Sequence, residues 1–362
     1  MTTGLLDAPA HLPQITIGAR TIPVQLPNPR DPRLKLSAVV VTIHVLGQTL
    51  LDWKVSIAQI AVSMVFCAAV ECGLSFRSSG VLAWPASGLL TGSSIALILR
   101  ASGTRHGDWW SLHGIEFFLL AGAVSLLSKH LLRPGGRHRF NPSNIGIVWC
   151  LLVVGPNHVF AQYLWWGPSR IGVSLAYVVI CVGALWVLRA VRMVSMAAAF
   201  LLPFAAVIGA YALLGSSFVA IWHVGPVSGL EYWADIALSP EVLVFVFFMI
   251  SDPQTAPKTA RGRVAYGAAT ALIAAALIPF QATEFGIKVA LLASLTVACA
   301  LVPLLDRTVV RPGLQRARLH VRPVVLAMAV IAVAAPLDTA LLAHNAQIVL
   351  IEKGQSGART AQ

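Results

Sequence analysis

Charge is scarce in this chain, and negative charge scarcer still: 14 Asp and Glu stand against 26 Lys and Arg, and charged residues make up 11% of the total. A soluble domain carries about a quarter charged residues, so a water-facing surface of ordinary size is excluded for these 362 residues. Hydrophobic residues fill the gap at 57%, with a mean hydropathy of +0.78. This is the composition of an integral membrane protein. Cysteine is also sparse. The five cysteines all lie inside apolar stretches, with no Cys-x-x-Cys and no histidine at metal-ligand spacing, so a disulfide framework or Cys-bound metal is disfavoured and buried free thiols are expected. A Gly-rich ATPase loop, a nucleophile with an attendant base and a metal constellation are all missing, which disfavours ATP-driven transport and hydrolysis. The net charge of +12 does not indicate nucleic acid, because the basic residues cluster in the short segments between apolar runs, where they anchor loops to the cytoplasmic side.

Apolar runs long enough for a membrane span fall near 36–51, 56–76, 84–100, 113–131, 171–190, 193–215, 264–281, 286–304 and 324–343. Two more are short. One runs from Asn144 only to Gly155-Pro156, and one from Glu241 only to Ser251-Asp252-Pro253. The pattern predicts an all-α polytopic membrane protein with about 10–11 transmembrane segments, flanked by a polar N-terminal tail (1–35) and a C-terminal tail (346–362). Basic residues before the Asn141-Pro142 turn, at Arg189 and Arg192, and at Lys258 to Arg263 thread the N-terminus to the cytoplasmic side of a bacterial inner membrane. The segment 215–240, which lacks Lys and Arg, falls outside. Pro-Ala-Ser-Gly-Leu at 85–89 recurs as Pro-Val-Ser-Gly-Leu at 226–230, a trace of two related halves.

Both short segments begin or end at prolines on the cytoplasmic side. Irregular backbone at such depth must be covered by protein or line a polar cavity, and paired Pro-interrupted segments point to a binding site between repeats. Asn141 is suited to cap a helix starting at Pro142, and Ser239-Pro240-Glu241 repeats that logic. The cations ahead of Asn141, including Arg137, would suit an anionic ligand beside free helix-end amides, or fix topology and touch lipid phosphates. Asp252 needs a partner, for which Lys258, Arg261 and Arg263 are candidates. The candidate binding set is Ser87, Thr91, Arg137, Asn141, Asn144, Ser251, Asp252, Thr255 and Lys258. Among the other polar groups in apolar helices, His44, Glu71, Glu116 and Asp338, each is expected to be a satisfied interhelical bond or to lie near the interface rather than on a proton path. The tryptophans at 109–110, 165–166, 222 and 233 fit an outer aromatic belt.

SGLLTGSSIAL, FNPSNIG and SDPQTAP, followed by GR and YG, resemble the NqrB/RnfD superfamily, the flavin-carrying membrane components of the sodium-pumping NADH:quinone reductase and of the Rnf complex. HVLGQ (44–48), WPASGLLTGSS, FNPSNIG, FFMISDP and TEFGIKVALL (283–292) are similar, over about 33–310, to the UnbU-like membrane proteins of actinobacterial enediyne biosynthesis clusters. The resemblance implies a helical bundle of two related halves and a flavin in a redox-driven ion pump. In the distant relatives FMN is attached to a threonine in a Ser/Asp-Gly-x-Thr motif. Neither LGSSFVA (214–220) nor YGAAT (266–270) matches it, so the implied ligand is a non-covalent FMN or riboflavin. Three functions follow: an electron-transfer protein with a redox partner, a transporter or channel, or a scaffold for biosynthetic enzymes. The bilayer is the expected partner in all three.

Overall fold

The computed structural model describes residues 13–17, 20–29, 31–133, 136–164, 166 and 170–308. The run at 324–343, Asp338 and the tail at 346–362 lie outside the described residues. Within them, each of the ten expected segments is helical: α1 (Pro32–Thr49), α2 (Ile57–Ser79), α3 (Ala86–Ile98), α4 (Ile115–Leu131), α5 (Pro142–Val154), α6 (Arg170–Val191), α7 (Val194–Leu213), α9 (Pro240–Val244) continuing as a π-helical turn (Phe245–Met249), α10 (Ala260–Leu277) and α11 (Glu284–Thr308). One further helix, α8 (Gly229–Ala237), precedes α9. The chain is an all-α polytopic membrane protein. Among the described residues, six helical stretches are long and apolar enough to cross a bilayer.

Helix starts follow from local chemistry. Asp31 accepts from the Arg33 amide ahead of Pro32, Ser56 and Gln59 form a reciprocal capping box, and Thr259 accepts from the Gly262 amide. In the N-terminal segment read as a tail, β1 (Gln14–Ile17) and β2 (Arg20–Gln25) pair antiparallel, and β2 runs parallel to β3 (Leu82–Ala83) at the approach to α3. The run at 84–100 does not continue as one helix. Residues Leu99–Ala101 become β4, which pairs antiparallel with β5 (Val159–Ala161). Both α3 and α5 are therefore 13-residue helices, about 20 Å long at 1.5 Å per residue. Each is followed by a strand that satisfies its own backbone within the protein.

The halves correspond. In the first, α2 packs on α3 and α4, and α4 on α5; in the second, α7 packs on α8 and α10, and α10 on α11. Across the middle, α1 meets α6 and α5 meets α11. The repeated pentad lies at the entry to α3 and to α8 with a two-residue offset: Pro85 directly precedes α3, whereas Pro226 begins a strand and Ser228 directly precedes α8. The 21 residues from Gly229 to Met249, covering α8, α9 and the π turn, are together long and apolar enough for one span. A final pair of strands, β6 (Ser217–Val219) and β7 (Pro226–Ser228), forms a hairpin between α7 and α8.

Small residues bring these pairs together, as the Ser-Gly-Leu-Leu-Thr-Gly stretch suggests. A Cβ on Gly92 would stand 2.4 Å from the Ser63 carbonyl oxygen of α2, one on Gly146 2.2 Å from the Ala121 carbonyl oxygen of α4, and one on Gly267 2.4 Å from the Met196 carbonyl oxygen of α7. Gly92→Val is expected to destabilise the protein by about 1–3 kcal/mol through overpacking against backbone. Gly73→Ala in α2, where nothing lies within 4 Å, is expected to be neutral or to stabilise by about 0.5–1 kcal/mol. Thermal melts in detergent check both.

Candidate functional site

The two proline junctions meet at one end of the bundle. Asn141 Oδ1 accepts from the Asn144 amide (3.1 Å), capping α5, while Asn141 Nδ2 donates to the Met249 carbonyl of the π turn (3.1 Å). Arg137 Nη2 donates to the carbonyls of Pro253 and Ala256, both at 2.8 Å. The basic loop thus clasps the Asp-Pro loop by its backbone. Arg263 adds a brace, donating to the carbonyls of Pro257 and Arg192.

A cavity of about 590 Å³ opens beside this clasp. Its apolar wall comes from Leu36 and Val40 of α1, Leu90 and Leu97 of α3, Val187 of α6 and Phe248 of the π turn. Its polar end holds Asp31, Arg33, Glu71, Lys129, Arg133 and His138. Of the nine candidate residues, Ser87, Thr91, Asn141, Ser251 and Asp252 line it. The other four do not. Arg137 is spent on the clasp, and Asn144 Nδ2 donates to the Leu292 carbonyl (2.9 Å) and Thr296 Oγ1 (3.0 Å) of α11. Thr255 turns its hydroxyl to Asp252, and Lys258 is exposed.

Asp252 finds a different partner from those expected. Its Oδ1 accepts from the Gln254 amide at 2.9 Å, and no ion pair joins it to Lys258, Arg261 or Arg263 among the described residues. A tight Asx turn across Pro253 satisfies the carboxylate locally, which distant, flexible cations cannot do as readily.

One ion pair in the cavity escapes a reading of the sequence. Lys129, 4% exposed in the last turn of α4, forms an ion pair with Glu71 of α2 and donates to Ser87 Oγ of α3 (2.7 Å). Lys129 reads as a topology marker and Glu71 as an isolated polar group; only the packing of α2 on α3 and α4 joins them. Their one sequence signal is opposite charge inside two apolar runs. His44, buried, places Nε2 3.2 Å from Ser93 Oγ and carbonyl oxygen, the interhelical bond anticipated for it. Glu116 is exposed.

Removing one partner of a buried pair strands the other charge, at a cost of about 3–5 kcal/mol. Lys129→Met is expected to lose stability on that scale, and Lys129→Met with Glu71→Met to recover most of it; detergent melts of the single and double variants give the coupling.

Outside the spans, a hydrogen bond from Arg33 holds the Asp31 carboxyl below the usual carboxylate range. Burial, with Lys129 and Arg133 nearby, pushes the His138 imidazole down to about 4. His138 is therefore neutral in the fold while the unfolded chain takes up a proton below 6.5. Stability attributable to this group is present above that pH and declines as pH falls toward about 4. The melting temperature is expected to drop between pH 7 and 5, and the drop to be smaller in His138→Gln.

At the opposite end, Trp109 and Trp110 are exposed as a belt requires, but Trp166 is buried and donates to Glu241 Oε2 (2.9 Å). Trp222 donates to Glu284 Oε2 (2.9 Å). Trp222 stays 39% exposed, as expected of a belt, and only Trp166 is drawn inward, by the buried Glu241. Of the two strings nearest the flavinylation motif, YGAAT supplies Thr270, fully buried with its hydroxyl bonded to the Tyr266 carbonyl. No family model matches the chain, and no curated protein is similar to it.

Proposed function

We propose that the cavity between the two proline junctions binds a flavin, FMN or riboflavin, without a covalent link, and that the protein serves electron transfer in an enediyne-type biosynthetic pathway. The observation that carries this reading is the amphipathic cavity itself. Its volume of about 590 Å³ lies within the range of small-molecule sites, its wall is apolar, and its polar end gathers cations at the start of α5. The residues fit the group: Leu90, Leu97 and Phe248 would cover a planar apolar ring system, Ser87 and Thr91 would offer hydroxyls to its polar edge, and Arg133 with the first turn of α5 would hold a phosphate. Bound there, a flavin would supply one- and two-electron redox chemistry. The protein's own part is to hold the ring system away from water and to keep the Glu71–Lys129 pair beside it. The motifs shared with the UnbU-like proteins and the NqrB/RnfD superfamily add their weight, with a bacterial inner membrane and a cytoplasmic N-terminus as the setting.

Protein purified in mild detergent is expected to carry flavin absorbance that denaturation releases into solution. Arg133→Gln is expected to weaken FMN binding about tenfold while leaving riboflavin binding near the wild-type value. Colourless protein that takes up neither compound would remove this reading. A second reading, translocation of a small molecule, is favoured by the short helices α3 and α5 beside the proline junctions; uptake by reconstituted vesicles, abolished by Asn141→Leu, would support it instead.

A further inference from the structure

At the end of the bundle away from the cavity, three buried donors have no partner. Arg100 Nη1, Gln162 Nε2 and Lys288 Nζ are unbonded, in side chains 6%, 3% and 2% exposed. Geometry brings them together. Arg100 stands opposite Phe160 in the β4–β5 ladder, and the Gln162 amide continues that ladder by donating to the Ile98 carbonyl (2.7 Å). Alternation along paired strands therefore places Arg100, Phe160 and Gln162 on one face. Helix α11 packs on that face through Phe285, whose ring lies edge-on to Phe160 at 6.0 Å. Lys288 follows Phe285 by three residues and so shares its side of the helix. The charged neighbours of Lys288 are Glu241, Glu284 and Arg100.

The carboxylates do not take up these donors. Glu241 accepts from Trp166 Nε1, and Glu284 accepts from the Leu164 amide and from Trp222 Nε1. No ion pair joins Arg100 or Lys288 to either carboxylate among the described residues. Arg100 is covered instead by aromatic faces, with its guanidinium carbon 4.4 Å from the centre of the Tyr163 ring. Two buried cations and an amide donor left open in this way require an acceptor, since an unsatisfied buried donor costs about 1–3 kcal/mol and a charged one more. Indole and backbone donors hold Glu241 and Glu284 in place, and no described residue supplies the missing acceptor.

We propose that Arg100, Gln162 and Lys288 form a buried site for a small inorganic anion of the halide class, separate from the cavity at the other end of the bundle. The three donors come from β4, the segment after β5, and α11, so an anion there ties the short α3 and α5 helices of the first half to the central helix of the second.

The test uses full-length protein in detergent at fixed ionic strength, with sodium gluconate replaced stepwise by sodium bromide. A saturable rise in melting temperature is expected for the wild type and for Gly73→Ala, whose added methyl meets nothing within 4 Å. Gln162→Leu, which keeps both charges, is expected to raise the half-saturating bromide concentration about five- to tenfold, and Lys288→Met to abolish the response. Crystals grown in bromide are expected to show its anomalous peak among the three side chains, a readout independent of how well the variants fold. The site is disproved by a wild-type melt that does not saturate, by an equal response in Gln162→Leu, or by ordered water without bromide at the cluster.

Discussion

Short helices inside a membrane protein leave backbone groups that lipid cannot satisfy, and the arrangement of this molecule follows from how those groups are met. At one end, the first turn of α5 is closed by the Asn141 side chain, whose amide also binds the Met249 carbonyl of the π turn. At the other, the backbone beyond α3 and α5 becomes two strands that pair with each other. Neither half could do this alone at the basic end. The clasp of Arg137 on Pro253 and Ala256 joins the first half's broken helix to the second's.

A polar hollow is the consequence. Where helices stop short, space remains that long apolar side chains do not fill, and the groups turned toward it are those that tolerate or require polarity. Glu71 and Lys129 meet there because α2 lies close to α3 at Gly88 and Gly92 and close to α4 at Gly122, and the pair then presents Ser87 with a fixed charge environment. The far end follows the same logic with a different outcome. There the strands carry Arg100 and Gln162 against α11, and the carboxylates are drawn to indole donors, so the cations are held without direct counter-ions. The central position of α11, with most of its span buried where α2 is mostly exposed, allows one helix to serve both ends: Asn144 binds it near the cavity and Lys288 projects from it near the opposite cluster.

Much of this is legible in the chain. Apolar runs mark the helices, because a 20-residue hydrophobic stretch has few alternatives in a membrane. Asn141-Pro142, Ser239-Pro240 and Ser251-Asp252-Pro253 mark the junctions, because proline and capping side chains act over three or four residues. The same local range explains the failures. Residues 84–100 read as one helix, since nothing near Leu99 announces that Val159–Ala161 will offer it a strand. Asp252 reads as a partner for neighbouring cations, although a backbone amide two residues on is closer. Trp166 reads as part of an outer belt, since nothing beside it in the chain shows that Glu241 lies within its reach.

Composition and short-range chemistry by themselves determined that the protein lives in a bilayer, where its helices begin, and that proline junctions interrupt the chain at 141–142, 239–240 and 252–253. Tertiary structure alone decided that the cut ends face each other, that Glu71 finds Lys129, and that Arg100, Gln162 and Lys288 converge. The reason is range. A cap or a hydrophobic run is set by residues adjacent in the chain, whereas an ion pair or a donor cluster depends on which helix faces meet, and that is settled only when small residues allow the two halves to close.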